Sequence, residues 1–117
     1  MKVIVCGAGQ VGFDIARQLS AEDNDVTVVD HDYERLRKVN DALDVLTLQG
    51  FASYPDILQL AGAETTDMLI AVTQVDEINM VSCQVAHTLF NIPIKIARIR
   101  HHAYLEPNWQ HLFSRDQ

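Results

Sequence analysis

A glycine-rich motif near the amino terminus constrains the fold of this chain more than any other feature. The motif GAGQVG, residues 7–12, follows a short apolar run at residues 3–6 and opens a segment with apolar residues at helical spacing. A strand that leads through a G-x-G-x-x-G turn into a helix is the opening unit of dinucleotide-binding α/β domains. The context therefore predicts a buried first strand followed by a phosphate-binding turn.

Each glycine of the motif has a separate predicted role. Gly7 permits the tight turn, Gly9 lets the backbone approach a pyrophosphate, and Gly12 allows the helix to pack closely on the strand. The phosphates would lie against free N–H groups at the start of the helix, where the helix dipole favours negative charge. The alternative is a turn that merely contains three glycines.

An acidic residue ends the second predicted strand. Asp30 follows the apolar run at residues 26–29 and lies roughly 20 residues after the motif, as the dinucleotide-binding fingerprint requires. A carboxylate in this place accepts hydrogen bonds from the ribose hydroxyls of NAD and repels the 2′-phosphate of NADP. The sequence therefore favours NAD or NADH. The alternative role of Asp30 is to cap or turn the chain toward the next helix.

Strand and helix patterns alternate along the whole chain. Further apolar runs at residues 45–48, 68–72 and 94–99 follow helical segments, of which the longest extends from Asp76 to about Phe90. The apolar face predicted for that long helix consists of Ile78, Val81, Val85, Ala86 and Leu89. This alternation predicts an α/β fold, a Rossmann-like doubly wound parallel sheet in the order 3-2-1-4-5 with helices on both faces.

Acidic residues precede two of the predicted helices. Asp32 is expected to cap the second helix, and Asp76 is expected to cap the long helix with Asn79 three residues on as its partner. Ligand contact is an equally open role for Asp76 and Asn79, because they follow the fourth strand. A final helix is predicted over residues 104–113, although Pro107 must then lie in its first turn.

The loops that follow strands three, four and five hold the remaining candidates. In open α/β sheets, ligands bind beyond the carboxyl ends of the strands, where residues 50–53, 73–77 and 98–100 would meet. Arg98 would either contact a phosphate or pair with a surface acid. The sequence contains no recognisable nucleophile–base motif and no metal-ligand spacing, so we predict neither catalytic nor metal-binding residues.

Charge and hydropathy exclude several classes of partner. Nine basic and 16 acidic residues give a formal net charge of −7, which argues against nucleic-acid binding and against direct binding to an anionic membrane. No apolar run is long enough to span a bilayer. Cys6 and Cys83 form no C-x-x-C pair and are expected to be reduced thiols of a cytoplasmic protein. We therefore predict no nucleic-acid partner and no direct membrane insertion.

Longer sequence blocks resemble a known regulatory family. The blocks VIVCGAGQVG, AGAETTDMLIAVT, DEINM and IARIR are similar to those of KTN domains, also called the N-lobes of RCK domains. These domains regulate potassium channels and transporters. The likeness runs from Lys2 to about Phe113, so residues 1–117 are expected to form one KTN domain, a fragment of a longer protein without its final strand.

The resemblance implies a regulatory NAD(H)-binding domain and not an enzyme. It implies a peripheral subunit at the cytoplasmic face of the membrane, a membrane-embedded potassium transporter as its partner, and a dimer or a tetrameric ring. Some relatives bind ATP or ADP in the same cleft. Carried over position by position, the expected ligand-binding residues are Gly7, Gly9, Gln10, Val11, Gly12, Asp30, Thr73 and Arg98.

Two positions depart from the family pattern, and two other function classes remain open. ATP-binding relatives often carry arginine where Gln10 stands, which weakens the expectation of ATP. The family usually has a small or polar residue where Phe51 stands, and a ring there would either wall the adenine pocket or fill it.

The alternatives are the cofactor half of an NAD-dependent dehydrogenase and a redox-sensing transcription factor. The latter needs a basic helix-turn-helix that this acidic chain lacks.

Overall fold

The computed structural model describes residues 1–101 and 103, in which strands and helices alternate as the apolar pattern predicts. The helix predicted over residues 104–113 lies outside the described residues. A short 3₁₀ turn, Ala63–Thr65, was not predicted. The elements in chain order are β1 (Lys2–Cys6), α1 (Gln10–Ala21), β2 (Asp25–Asp30), α2 (Tyr33–Ala42), β3 (Leu46–Gln49), α3 (Pro55–Leu60), β4 (Met68–Ala71), α4 (Asp76–Phe90) and β5 (Ile94–Ala97).

The five strands form one parallel sheet in the order β3-β2-β1-β4-β5, which confirms the predicted Rossmann-like fold. Strand β1 lies at the centre and pairs with β2 on one side and β4 on the other. The chain thus leaves β1 toward β2 and returns on the opposite side at β4. A crevice opens where the strand order reverses in this way, beyond the carboxyl ends of the strands.

Strand β1 joins the two halves of the hydrophobic core. Val3 and Val5 pack on one face of the sheet with α1 and α2, whereas Ile4 and Cys6 pack on the other with α3 and α4. All four side chains are completely buried. Full burial of a Val or Ile side chain contributes about 1.5–3 kcal/mol, so this strand anchors the loop that follows it.

The prediction for the buried face of α4 is wrong at two of its five positions. Val81 and Leu89 are 43% and 56% exposed, whereas Ala86 is buried and Ile78 and Val85 are half-buried. The buried residues of the helix are instead Asp76, Asn79, Met80, Ser82 and Ala86. Polar Ser82 is tolerated there because its hydroxyl donates to the carbonyl of Ile78 at 2.6 Å. The helix has apolar residues on two sides, which its hydrophobic periodicity alone does not resolve.

The two predicted helix caps have different outcomes. Asp32 caps α2 as predicted, since its carboxylate accepts hydrogen bonds from the N–H groups of Glu34 and Arg35 at 2.9 and 3.3 Å. The prediction that Asp76 caps α4 is wrong. The cap position is occupied by Val75, and no side chain caps that helix. Asp76 is the first helical residue, and its carboxylate binds a different segment, described below.

Two features that some partners would require are absent from the described part of the chain. None of its helices combines the length and the hydropathy that a bilayer crossing requires. Within the same residues, no group of three or more His, Cys, Asp or Glu side chains gathers in a way that would hold a metal ion.

Candidate functional site

The loop between β1 and α1 requires glycine at its first position. Gly7 has φ 112°, a conformation that side chains rarely adopt. A Cβ atom there would lie 2.9 Å from the carbonyl oxygen of Val72, at the end of the neighbouring strand. The Gly7 N–H donates to the carbonyl of Val29 at 2.8 Å, which fixes the turn against β2. The tight turn predicted for Gly7 is therefore present.

The other two glycines of the loop differ in what surrounds them. A Cβ on Gly12 would overlap the carbonyl oxygen of Gly7, so the first turn of α1 lies directly on the end of β1. A Cβ on Gly9 would meet no atom within 4 Å. Gly9 precedes α1, whose start has no side-chain cap. The first N–H groups of this helix therefore face open space beside Gly9, as a phosphate-binding turn requires.

Asp30 is almost completely buried at the end of β2, beside this loop. One carboxylate oxygen accepts a hydrogen bond from the N–H of Ala8 at 2.7 Å, and the other accepts from the N–H of Asp32 at 2.8 Å. Asp30 therefore also performs the alternative role considered for it, the turn toward α2. An ionised carboxylate has about four acceptor sites, so it retains capacity for ligand hydroxyls after these two bonds.

A crevice of about 330 Å³ lies over the carboxyl ends of the strands. Its walls include every predicted ligand-binding residue except Gly12, which supports the loop from below. The residues shared by the prediction and the crevice are Gly7, Gly9, Gln10, Val11, Asp30, Thr73 and Arg98. A volume of this size lies at the lower end of the range for small-molecule sites.

The crevice combines one acid with several bases, although the whole chain is acidic. Among the described residues that line it, Asp30 is the only acid, whereas Arg35, Arg98 and Arg100 are basic. A cleft lined mainly by one sign of charge attracts ligands of the opposite sign. The site is therefore suited to a ligand that carries phosphate charge along with hydroxyl groups for Asp30.

Asn79 joins the loops that follow β4 and β5. Its side chain is fully buried, and its carbonyl oxygen accepts hydrogen bonds from the N–H and hydroxyl of Thr73 at 2.9 and 2.7 Å. Its amide group donates to the carbonyls of Thr73 and Arg98 at 3.1 and 2.8 Å. Asn79 is thus a link between two strand ends and not part of a capping pair with Asp76.

Arg98 binds the backbone at the end of β4. One guanidinium nitrogen, Nη2, donates to the carbonyls of Val72 and Thr73 at 3.0 and 2.9 Å. Its Nε is buried with no hydrogen-bond partner among the described residues. The surface-acid pairing considered for Arg98 is not formed within the described part of the chain. The guanidinium lies instead at the wall of the crevice.

Asp76 is buried and binds the segment that follows β5. Its two carboxylate oxygens accept hydrogen bonds from the N–H groups of Arg100 at 2.9 Å and His101 at 2.7 Å. The hydrogen bond from Arg100, followed by that from His101, lowers the pKa of the Asp76 carboxyl below its ordinary value. These partners lie 24 and 25 residues away, so no local sequence signal indicates them.

An aromatic group forms the end of the crevice beside Asp30. The rings of His31 and Phe51 are stacked with centroids 4.8 Å apart, and Tyr54 packs against Phe51 at 5.5 Å. Both His31 and Phe51 line the crevice, so Phe51 forms part of its wall. The pairing of Asp30 with Gln49 in the sheet brings the following residues of both strands together.

Comparison with known proteins identifies the family of this chain. The family model of the TrkA-N domain matches residues 3–113. The chain belongs to the TrkA-N domain family. This result confirms the resemblance to KTN domains. Over 99% of its length, the chain is 56% identical to the Trk system potassium uptake protein TrkA of Azorhizobium caulinodans, of which it spans 25%.

Two solved structures share the fold. The Kef CTD of Shewanella denitrificans in an AMP-bound form has a TM-score of 0.74 and 26% identity, over 96% of this chain and 65% of that one. The TrkA-N domain of the inner membrane protein ybaL from Escherichia coli has a TM-score of 0.79 and 22% identity, over 87% of this chain and 75% of that one. Both comparisons agree with the parallel sheet and strand order described above.

Proposed function

We propose that this TrkA-N domain binds NAD(H) and thereby regulates a potassium-uptake transporter. One juxtaposition carries the proposal. The open helix start beside Gly9 offers N–H groups to a pyrophosphate, and Asp30 at the end of the neighbouring strand offers a carboxylate to a ribose. The printed name of the Azorhizobium relative, a potassium uptake protein, supports the role in transport.

The residues of the crevice suggest how a dinucleotide would be held. The pyrophosphate would lie over the N–H groups of Gln10 and Val11 at the start of α1. The adenosine ribose would donate to Asp30, next to the stacked rings of His31 and Phe51. The second nucleotide would then extend toward β4 and β5, where Thr73 and Arg98 line the wall. Gly12 contributes indirectly, because it lets α1 approach β1.

Regulation accounts for the site better than hydride transfer. The relative at 56% identity has the name of a transport protein and not of an oxidoreductase. A ligand regulates only when it binds one conformation or assembly more tightly than another. NAD⁺ and NADH differ by one charge, so groups near the nicotinamide would discriminate between them. We expect no hydride transfer by the intact protein, and measured dehydrogenase activity would contradict this part of the proposal.

We further propose that the full protein is a peripheral subunit on the cytoplasmic side of the membrane, bound to a membrane-embedded transporter. Within it, copies of this domain would assemble as a dimer or a tetrameric ring. The exposed apolar residues on the outer side of α4, Val81 and Leu89, support such an assembly, because a second copy would remove them from water. Light scattering after size-exclusion chromatography measures the assembly, and Leu89→Glu should weaken it.

An adenine mononucleotide is the second candidate ligand. Arg35, Arg98 and Arg100 all line the crevice, and their charge suits a terminal phosphate. The Kef CTD, at 26% identity, has a structure in an AMP-bound form. Gln10 argues against ATP, because a neutral amide stands where a guanidinium would reach the outermost phosphate. ATP and AMP are therefore included as alternative ligands in the test below.

Isothermal titration calorimetry with NADH, NAD⁺, NADP⁺, ATP and AMP tests the proposal. We expect NADH and NAD⁺ to bind and NADP⁺ to bind more weakly. Asp30→Ala should weaken NADH binding by about 1–3 kcal/mol, the scale of a hydrogen bond to a charged group. Asp25→Ala is the matched control, since Asp25 is an exposed acid at the other end of the same strand. If ATP binds most tightly and Asp30→Ala changes nothing, the NAD(H) assignment is wrong.

A further inference from the structure

Two polar side chains of α4 hold the backbone that leaves β5. Asp76 accepts hydrogen bonds from the N–H groups of Arg100 and His101, and Asn79 donates one to the carbonyl of Arg98. Three of the four residues at positions 98–101 are therefore tied to the first turn of one helix. Asp76 is 8% exposed, and Asn79 is completely buried. The two side chains that make this connection are therefore shielded from water, although Arg100 and His101 are themselves exposed.

The segment held in this way carries Arg98 and Arg100, two of the three arginines among the described residues that line the crevice. Arg98 braces itself on the carbonyls of Val72 and Thr73. Arg100 is exposed, and the contact that locates its backbone is the hydrogen bond from its own N–H to Asp76. The position of Arg100 at the crevice thus depends on a carboxylate that is itself absent from the crevice lining.

The orientation of Asp76 also indicates a role beyond helix stability. An acidic residue in the first turn of a helix ordinarily stabilises that helix by accepting its free N–H groups. The Asp76 side chain turns away from them, and α4 begins without any side-chain cap. Burying a carboxylate is unfavourable unless it is hydrogen-bonded. The two hydrogen bonds that satisfy it both come from the segment that carries Arg100.

We propose that Asp76 is a positioning residue for ligand binding: it holds Arg100 where its guanidinium meets a phosphate group of the ligand in the crevice. This inference rests on the proposed nucleotide-binding function. Asn79 assists by holding the carbonyl of Arg98 and the loop of Thr73 at the same edge. The ligand group concerned is a phosphate or pyrophosphate oxygen, to which a guanidinium donates two parallel hydrogen bonds.

A double-mutant cycle distinguishes positioning from a general structural role. The variants are Asp76→Asn, Arg100→Gln and the pair together, and calorimetry with NADH gives the affinity of each. We expect each single substitution to weaken NADH binding roughly tenfold to a hundredfold, the scale of one charge-assisted hydrogen bond. The double variant should bind no more weakly than Arg100→Gln alone, because Asp76 acts through Arg100. Asp44→Asn, the same substitution at an exposed site, should leave the affinity unchanged.

Two results would overturn the inference. If the two substitutions weaken NADH binding by independent factors that multiply in the double variant, Asp76 does not act through Arg100. If Arg100→Gln alone binds NADH as the unaltered chain does, Arg100 has no ligand to be positioned for, whether or not the Asp76 variant folds. Asp76→Glu keeps the charge but lengthens the side chain, so it should lower the affinity as well. Failure of the unaltered chain to bind any nucleotide would instead refute the proposed function.

Discussion

Gly9 and Gly12 lie three positions apart in sequence, but substitution by alanine should have different effects at the two sites. Gly12→Ala should lower the stability of the fold, whereas Gly9→Ala should lower the affinity for the ligand. In Gly12→Ala the new methyl group overlaps the carbonyl oxygen of Gly7, a backbone atom that cannot rotate away. Overpacking costs about 1–3 kcal/mol, and we take the upper end because the neighbour is backbone. The helix propensity of alanine returns at most about 1 kcal/mol. The net loss in the free energy of unfolding should be about 2 kcal/mol.

Gly9→Ala provides the matched comparison. Its φ of −71° suits alanine, and its methyl group would point into open space. The loss of a favourable N-cap residue costs at most about 1 kcal/mol, so the variant should be more stable than Gly12→Ala. The same methyl group would stand where a pyrophosphate approaches the backbone. NADH affinity should therefore fall in Gly9→Ala although the protein remains folded.

Urea denaturation followed by circular dichroism measures the first effect, and calorimetry with NADH measures the second. A loss of about 2 kcal/mol lowers the urea midpoint by about 1 M for a protein of this size. If Gly12→Ala unfolds at the same midpoint as Gly9→Ala, the close approach of α1 to β1 is not the reason for glycine at that position. If Gly9→Ala binds NADH as tightly as the unaltered chain, the pyrophosphate of the ligand does not pass over Gly9.

Three further predictions follow from individual side chains. Phe51→Ala should weaken NADH binding by about 1 kcal/mol in calorimetry, since a base loses a stacking surface; tighter binding would mean that the ring fills the base pocket. Because the pKa of Asp76 is lowered in the folded protein, its contribution to stability is present above the ordinary value of 3.8 and is lost as the pH falls below it. In Asp76→Asn, the urea midpoint should therefore depend less on pH below about 4 than in the unaltered chain. The same pH dependence in both proteins would refute this prediction. Burial raises the pKa of the Cys83 thiol to about 11, so alkylation at neutral pH should be slower than that of a free thiol. Cys6, fully buried, should react only after unfolding, as mass spectrometry would show.

Local sequence signals were sufficient for the frame of the fold and for one side of the crevice. The alternation of strand and helix predicts a parallel sheet, and the glycine-rich motif selects the strand order that is typical of dinucleotide-binding folds. Gly7, Gly9 and Asp30 could be placed because the turn, the open helix start and the strand end are each set by neighbouring residues. The side of the crevice formed by β1 and β2 was therefore predictable from short segments.

The opposite side of the crevice depends on contacts between distant residues. Asp76 was expected to cap its own helix, a sound inference from its position, but its partners follow a strand 24 residues later. Asn79 was paired with Asp76, whereas it connects Thr73 and Arg98. A capping pattern states only that a polar side chain is available at the start of a helix. Which N–H groups donate hydrogen bonds to that side chain depends on how the next strand lies against the helix.

The long helix shows the same limit for apolar residues. Val81 and Leu89 fit the spacing of a buried face, yet they are exposed, because the helix presents its other side to the sheet. The polar residues Asn79 and Ser82 mark that buried side only once their hydrogen bonds are known. A polar residue that satisfies its own hydrogen bonds inside a protein looks in sequence like a solvent-facing one. This ambiguity explains why the helix was predicted in the right place, but with two exposed residues assigned to its buried face.

The buried polar groups explain why the crevice has a defined shape although the sheet beneath it is held by apolar contacts. Apolar packing is non-directional and would leave the loops beyond the strand ends free to shift. Asp30 fixes the glycine loop, Asn79 fixes the ends of β4 and β5, and Asp76 fixes the segment that carries Arg100. Each of these groups would be unfavourable to bury if its loop moved away, because it would lose the hydrogen bonds that compensate for its burial. The cost of leaving these three buried side chains without hydrogen bonds therefore favours one arrangement of the crevice walls in the absence of ligand. This preorganisation would lower the conformational cost of binding a ligand.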